Sequence, residues 1–259
     1  MYIYIYDSFV NQKKYDKTLA RVETRITDLG LNGKIVRIGV MTSVHDVIDS
    51  EIRKGASTIV AVGNNSIFSQ SLNSIVKHSL VNANRNLSLG FIPIDSANNE
   101  IASLLGIGLE EEACNILSAR RIKTLDLGQA NNNYFLTTAK IETDGTKVEI
   151  DENYFIEIAE PGEIIVVNLP TNEVPISAEV SNAEDNKLEL LVKSKSAKKI
   201  IPLRRSAELN QSYFSFKSLN IINQKKFLVL DNYLNVETPA KVNIAKEKIN
   251  LIVGKSRNF

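Results

Sequence analysis

The sequence predicts an α/β unit built on a doubly wound parallel sheet, followed by an all-β, sandwich-like unit. Two observations carry this. Over the first 125 residues strand-like and helix-like segments alternate, an order that stacks helices on both faces of a parallel sheet. From Lys123 onward short β-prone segments recur at turn-like spacing with no amphipathic helix among them, the pattern of an antiparallel sandwich or barrel-like domain. The expected units are 1–125 and 126–259, closely packed because no Pro- or Gly-rich linker separates them.

Tyr2 to Tyr6, aromatic and β-branched, reads as a first strand ending in a loop at Asp7-Ser8. Tyr15 to Leu29 reads as a helix, with Leu19, Val22, Ile26 and Leu29 on one stripe and Gly30 as its stop. Lys34 to Val40 is a second strand and Val44 to Lys54 a second helix, closed by Gly55. Thr58 to Val62 reads TIVAV, continuously apolar as a central strand covered on both faces must be. A tight loop, Gly63-Asn64-Asn65-Ser66, opens a helix from about Ile67 to Ser79. Leu89 to Ile92 is the next strand and runs into Pro93, with helices over Glu100 to Leu105 and Leu109 to Ser118. The β-prone segments beyond are Tyr134 to Ile141, Lys147 to Ile150, Tyr154 to Ala159, Glu163 to Leu169, Leu188 to Val192, Lys226 to Leu230 and Ile249 to Val253.

Composition narrows the function class. The 259 residues are 43% hydrophobic and 24% charged, as in globular rather than disordered chains. Lys and Arg total 31 against 30 Asp and Glu, a net charge of +1 that argues against a nucleic-acid partner. Polar insertions interrupt every apolar stretch before the roughly 20 residues a membrane helix needs. MYIYIYDSFV lacks the basic start of a signal peptide, and the single Cys114 has no partner for an internal disulfide. Both fit a cytoplasmic location, where the Asn64-Asn65-Ser66 sequon stays unglycosylated.

In an open parallel sheet, ligands bind beyond the carboxyl ends of the strands. The loops expected there are Asp7-Ser8, Met41-Thr42-Ser43, Gly63 to Ser66 and Ile94 to Asn99. Two of them lead into helices, whose free N–H groups favour an anion such as phosphate. Polar loops occur at this edge in any doubly wound domain, so the loops alone do not identify a ligand.

Their order says more. TIVAVGNNSIFSQSLNSI (Thr58 to Ile75) resembles an apolar strand followed by Gly-Gly-Asp-Gly-Thr and a helix with a late Asn. LGFIPIDSANNEIASLLGI (Leu89 to Ile107) is similar to a Pro-x-Gly-Thr-x-Asn loop, an Ala-containing helix and Leu-Gly-Ile. RIKTLDLGQANNNYFLTTAKI (Arg121 to Ile141) is similar to a passage from an α/β into a β domain, and FLVLDNYLNVETPAKVNI (Phe227 to Ile244) to a stretch reading Asp-Gly-Glu. These landmarks, in this order and almost end to end, resemble the diacylglycerol-kinase catalytic-domain family of lipid kinases, including its sphingosine-kinase-like bacterial members.

The resemblance implies ATP-dependent phosphoryl transfer to a lipid hydroxyl, with ATP and Mg²⁺ as cofactors. It also implies a lipid substrate or membrane surface as partner, peripheral attachment at the inner membrane face, and room for a homodimer. By position, Asp7-Ser8 replaces the family's Asn-Pro, Thr42 keeps its Thr and Gly63 its first glycine. Asn64 and Ser66 stand at the later glycines, Asn65 at the aspartate and Ile67 at the threonine. Asp95, Ser96, Ala97 and Asn98 follow the second loop, with one residue extra, so that either Asn98 or Asn99 matches the family's Asn. Asp231 keeps the acid of Asp-Gly-Glu, while Asn232 and Tyr233 replace the Gly and Glu.

The implied catalytic positions are therefore Asp231, Asn65 and Tyr233. The implied nucleotide contacts are Asp7, Ser8, Thr42, Gly63, Asn64, Ser66, Ser96, Asn98 and Asn99, with no metal ligand assigned. Phosphoryl transfer needs Mg²⁺ to neutralise phosphate charge, and a carboxylate to orient or deprotonate the hydroxyl. Asn65 and Tyr233 supply neither, and Asp95 adds negative charge beside a phosphate site. Two functions compete: an active lipid kinase, or a pseudokinase that binds nucleotide or lipid as a regulatory or scaffold protein. An NAD-kinase-like enzyme shares the Gly-Gly-Asp-Gly pattern, but the Asp7-Ser8 loop and the late Leu-Gly-Ile resemble the lipid enzymes more.

Other residues take structural readings. His45 opens one expected helix and His78 closes another; Cys114 lies on an apolar helical face; Glu110 to Glu112 suit the dipole of a helix start. Tyr2, Tyr4 and Tyr6 alternate along one strand face as packing residues. The basic stretch Lys193 to Arg205 is a solvated loop or a contact for anionic lipid headgroups.

Overall fold

The computed structural model describes residues 1–39, 41–81, 87–95, 99–158, 160–174, 183–194, 211–257 and 259. Ser96, Asn98 and most of the basic Lys193–Arg205 stretch lie outside the described residues.

In chain order the first elements are β1 (Tyr2–Tyr6), α1 (Asp16–Asp28), β2 (Gly33–Arg37), α2 (Val44–Arg53), β3 (Thr58–Gly63), α3 (Asn65–Val81), β4 (Ser88–Pro93), α4 (Glu100–Leu104), α5 (Glu111–Ala119) and β5 (Ile122–Leu125). Short strands follow: β6 (Gly128–Ala130), β7 (Asn133–Phe135), β8 (Thr138–Glu142), β9 (Lys147–Ile150), β10 (Tyr154–Glu157), β11 (Gly162–Val167) and β12 (Leu188–Ser194). The last are β13 (Gln211–Phe216), β14 (Ser218–Ile222), β15 (Leu228–Leu230), β16 (Leu234–Val236), β17 (Ala240–Ile244) and β18 (Ile249–Ile252). The chain divides into two compact units, Met1–Asp126 with Lys246–Phe259, and Leu127–Ala245.

The first unit is the expected α/β layer structure. Its sheet has the order β2-β1-β3-β4-β18-β5, parallel except for β5. Every residue of β3 and β4 is buried, as the apolar run at Thr58–Val62 requires. The chain winds one way from β1 to β2 and the other way from β3 to β4. Right-handed crossovers therefore put α1 on one face and α2 and α3 on the opposite face. Arg21, on α1, pairs with Glu111 and Glu110 at the start of α5, so two of the three acids there serve a helix–helix contact. On the other face His78 of α3 holds Asp49 of α2 at 2.6 Å. Tyr4 and Tyr6 are buried in the core, Tyr4 donating its hydroxyl to the Leu31 carbonyl, and Cys114 is buried too. Among the described residues no helix is long and apolar enough to cross a membrane.

The second unit is all-β. Two antiparallel six-stranded sheets, β10-β9-β14-β17-β6-β7 and β13-β12-β11-β8-β15-β16, enclose one core. Val148, Leu219 and Val242 come from the first sheet and Ile141, Ile164 and Leu190 from the second. The expected single strand Tyr134–Ile141 is two strands in different sheets, broken at Leu136-Thr137 where the chain turns the corner of the sandwich.

The final strand corrects the expected division. Ile249–Val253, placed by sequence order in the second region, returns to the first unit, where β18 pairs with β4 and β5. Leu251, Ile252 and Val253 are consecutive and all buried. Such two-sided burial suits the interior of a helix-covered sheet and not a sandwich strand with one wet face.

Hydrogen bonds from His78 and then Arg53 hold the Asp49 carboxyl below the ordinary carboxylate value of 3.8. A depressed folded value means that the group stabilises the fold above the unfolded value, and that this contribution fades as pH falls through the folded one. The urea midpoint of an Asp49→Asn variant is therefore expected to lie below wild type near neutral pH and to converge with it well below pH ~4. A gap that stays constant down to the acid limit would show that the α2–α3 contact does not depend on this charge.

Candidate functional site

The sheet reverses its winding between β1 and β3, which lie side by side with Tyr6 opposite Val62. At such a point the two exit loops diverge and open a crevice. Here the Asp7 N–H donates to the Val62 carbonyl at 2.9 Å, and Gly63 follows. A Cβ on Gly63 would lie 2.8 Å from Asp7 Cβ and 3.0 Å from Ile67 Cγ2. Its φ of +151° independently favours glycine. Asp7 turns its carboxylate back on its own loop, where Oδ1 accepts from Ser8 Oγ at 3.2 Å and Phe9 N at 3.4 Å, capping a 3-10 turn over Ser8–Asn11.

The other exit loops reach the same edge. Ile38 N donates to the Tyr6 carbonyl, and Asn11 Nδ2 donates to the Ile38 carbonyl at 3.2 Å. Beyond Ile38, Thr42 is exposed, and its N–H donates to Gly39 O at 3.1 Å. Ile94 N donates to Gly63 O at 2.8 Å, and Tyr15 Oη donates to Asp95 Oδ2 at 3.4 Å. The structure thus brings Asp7, Ser8, Thr42, Gly63, Asn64, Asn65, Ser66 and Asn99 to one sheet edge.

Their local chemistry departs from a phosphate cradle. The helix expected from about Ile67 begins two residues earlier, because Asn64 caps it: Oδ1 accepts from Ser66 N at 2.9 Å, and the Asn64 carbonyl from Phe68 N at 3.3 Å. Asn65 and Ser66 therefore sit in the first turn, with Ser66 Oγ accepting from Gln70 Nε2 at 3.1 Å. Asn65 is 6% exposed and donates through Nδ2 to Glu100 Oε2 at 3.4 Å, while its Oδ1 has no partner. Asn99, 7% exposed, donates Nδ2 to the Asp95 carbonyl and likewise leaves Oδ1 unpaired. Glu100 is the carboxylate that sequence reading missed. Its only signal was an acid directly after the Asn pair and at the first helical position.

A nucleotide triphosphate with Mg²⁺ does not fit this donor set. The Ser66 N–H that would point at phosphate is taken by the Asn64 side chain. Position 65, where the sequence resemblance implied an acid, is an amide. Asp7, Asp95 and Glu100 at this edge place negative charge where a polyanion would lie.

Asp231 and Tyr233 belong to the second unit. Asp231 is 4% exposed and grips the sandwich corner. Its Oδ1 accepts from Thr137 N and Thr137 Oγ1, each at 2.7 Å, and its Oδ2 from Leu136 N at 3.0 Å. Asn168 Nδ2 adds a bond to Leu136 O at 2.6 Å. Burial pushes the Asp231 carboxyl above the ordinary carboxylate range, opposed by the Thr137 hydroxyl and the backbone N–H groups. Asp231 and Asn232 have φ of 49° and 56° in a turn closed by Tyr233 N to Leu230 O. Asn232 thus meets the left-handed geometry that a glycine would otherwise serve. Tyr233 is partly exposed and brings no acid.

No family model matches the sequence, and no curated protein matches it significantly. Solved structures do match its fold. The crystal structure of a diacylglycerol kinase from Bacillus anthracis str. Sterne superposes with a TM-score of 0.75 at 15% identity, covering 98% of this chain and 97% of that one. Another crystal structure, of a candidate diacylglycerol kinase from the same organism, gives a TM-score of 0.75 at 15% identity over 99% and 97% of the two chains. The fold that the sequence resemblance implied is the fold observed.

Asp231→Ala would strip the partners from two buried N–H groups at the corner. It is expected to lower unfolding free energy by about 2–6 kcal/mol, at about 1–3 per orphaned group. Tyr233→Phe, at a surface position, is expected to stay within about 0.5 kcal/mol of wild type. Urea denaturation of both checks this, and an Asp231→Ala variant as stable as wild type would remove the structural role.

Proposed function

We propose that this chain is a member of the diacylglycerol-kinase family that has lost efficient phosphoryl transfer and works by binding, as a regulatory or scaffold protein. The observation that carries this is the start of α3, where the Asn64 side chain occupies the Ser66 N–H and an amide stands at 65. An amide neither holds Mg²⁺ as an anion nor takes a proton. The acid retained at 231 supports the same reading, because its oxygens are already committed to Leu136 and Thr137. The partners of this reading are a lipid or membrane surface and, weakly and with little dependence on Mg²⁺, a nucleotide.

Calorimetric titration with ATP, with and without Mg²⁺, tests it. Wild type is expected to bind weakly and with little response to the metal. Asn65→Asp would set a second carboxylate beside Glu100, and two acids so close ionise together only with a cation between them. That variant is expected to gain Mg²⁺-dependent nucleotide binding. Asn64→Gly should raise affinity for ATP by freeing the Ser66 N–H, at a cost of a few tenths of a kcal/mol in helix capping. Turnover of diacylglycerol by wild type is expected to fall about 10²–10⁴-fold below an intact family enzyme, the usual contribution of acid–base catalysis. Rapid phosphorylation by the unaltered protein would instead assign the missing carboxylate to Glu100 or Asp95 and make the chain an active kinase.

A further inference from the structure

The sheet order leaves β10 at one end of its sheet, paired with β9 on one side and with no described strand on the other. A strand in that place presents unpaired N–H and C=O groups, and charged side chains usually guard it. β2, at the edge of the first unit's sheet, is guarded in this way: Lys34 and Arg37 flank its one exposed large apolar residue, Ile35. β10 is not. Its residues are Tyr154, Phe155, Ile156 and Glu157, and both aromatics are 70% exposed, exceeded only by Met41 among the described large apolar side chains. Glu157, the single charge in the strand, is answered within its own hairpin by Lys147 at 3.8 Å.

The alternation of a strand puts the two aromatics on different faces. Tyr154 stands opposite Ile150, which belongs to the sandwich core, and Ile156 packs against that core, so both lie on the inner face. Phe155 stands opposite Glu149, and Glu157 opposite Lys147, on the outer face. Tyr154 thus carries the apolar inner face one step beyond the core of its own sheet.

We propose that this edge pairs with a second copy of the chain, the two β10 strands running antiparallel about a two-fold axis through Phe155. An axis perpendicular to the sheet keeps the inner faces of both copies on one side, so inner-face residues can meet only inner-face residues. With the axis at Phe155, Phe155 meets its own counterpart on the outer face and Tyr154 meets the second copy's Ile156 on the inner face. Aromatic–aromatic and aromatic–β-branched pairs are the favourable cross-strand pairs. Asn153 then meets the second copy's Glu157, and no like charges oppose each other. Moving the axis to Ile156 sets Phe155 against Glu157, and moving it to Tyr154 sets Ile156 against Glu152. Either shift places an apolar side chain against a carboxylate, so the side chains themselves select the register. Four residues a side make a small contact, and the association is therefore weak and concentration-dependent. The interface lies wholly in the second unit and does not rest on the function proposed above.

Sedimentation equilibrium of the full chain from roughly 1 μM to 1 mM tests this. Wild type is expected to pass from monomer to dimer across that range. Phe155→Lys brings two ammonium groups together at the axis and is expected to weaken the dimer about tenfold or more. Phe155→Glu should weaken it similarly, while an equal mixture of the two variants should associate at least as tightly as wild type, because position 155 faces itself. Both changes fall at an exposed position, and far-UV circular dichroism checks that each variant is folded. Phe227→Lys, an exposed aromatic outside β10, should leave association unchanged. A wild type that stays monomeric throughout, a Phe155→Lys variant that associates like wild type, a mixture no tighter than its parents, or equal disruption by Phe227→Lys would each overturn the proposal.

Discussion

Where β1 and β3 end side by side, the Gly63 backbone packs against the side chains of Asp7 and Ile67 with no room for a Cβ between them. Gly63 lies against Asp7 because β1 and β3 are direct neighbours and must send the chain in opposite directions. A methyl group there would push the β1 exit away from the start of α3. Much else at that edge hangs from this approach: Asp7 is held to Val62, Ile94 to Gly63, and α3 begins two residues beyond. The winding of the sheet dictates the crevice, and the crevice dictates which loops can meet.

The second unit depends on a charge placed where charges are costly. Thr137 and Leu136 leave one sheet for the other, so their N–H groups have no ladder partner, and Asp231 supplies one. A buried carboxylate surrounded by donors is tolerable where an isolated one is not. The same turn explains how a divergent sequence keeps a shared backbone. Asn232 stands where a glycine would be expected, and asparagine is the side chain that best tolerates its positive φ. Asn232 asks only for a backbone geometry, which it meets; Asn65 and Tyr233 carry no carboxyl group, and no backbone adjustment supplies one.

Much of the fold was legible from pattern. TIVAV announced a doubly covered strand, the stripe Leu19, Val22, Ile26 announced α1, and these are the buried positions found. Strands of three residues such as β6 and β16 are too short to show a period, and they were missed. Tyr134 to Ile141 read as one strand because each residue suits a strand; only the corner at Leu136-Thr137 divides it. Glu100 escaped notice for a similar reason. It is 35 residues from Asn65 in the chain, and a helix-starting acid looks the same whether or not it meets anything.

Local patterning determined the class of each unit, the order of the loops at the sheet edge and the amide and phenol that stand at 65 and 233, because those depend on residue type and near spacing. Tertiary structure decided the rest. It brought Ile249–Ile252 back beside β4, turned Asp231 inward as the anchor of a corner, and used the Asn64 side chain to close the helix start. Each of these is a pairing between a group and a backbone position that it either meets or misses in three dimensions. A hydrogen bond records that meeting, and residue type alone cannot announce it.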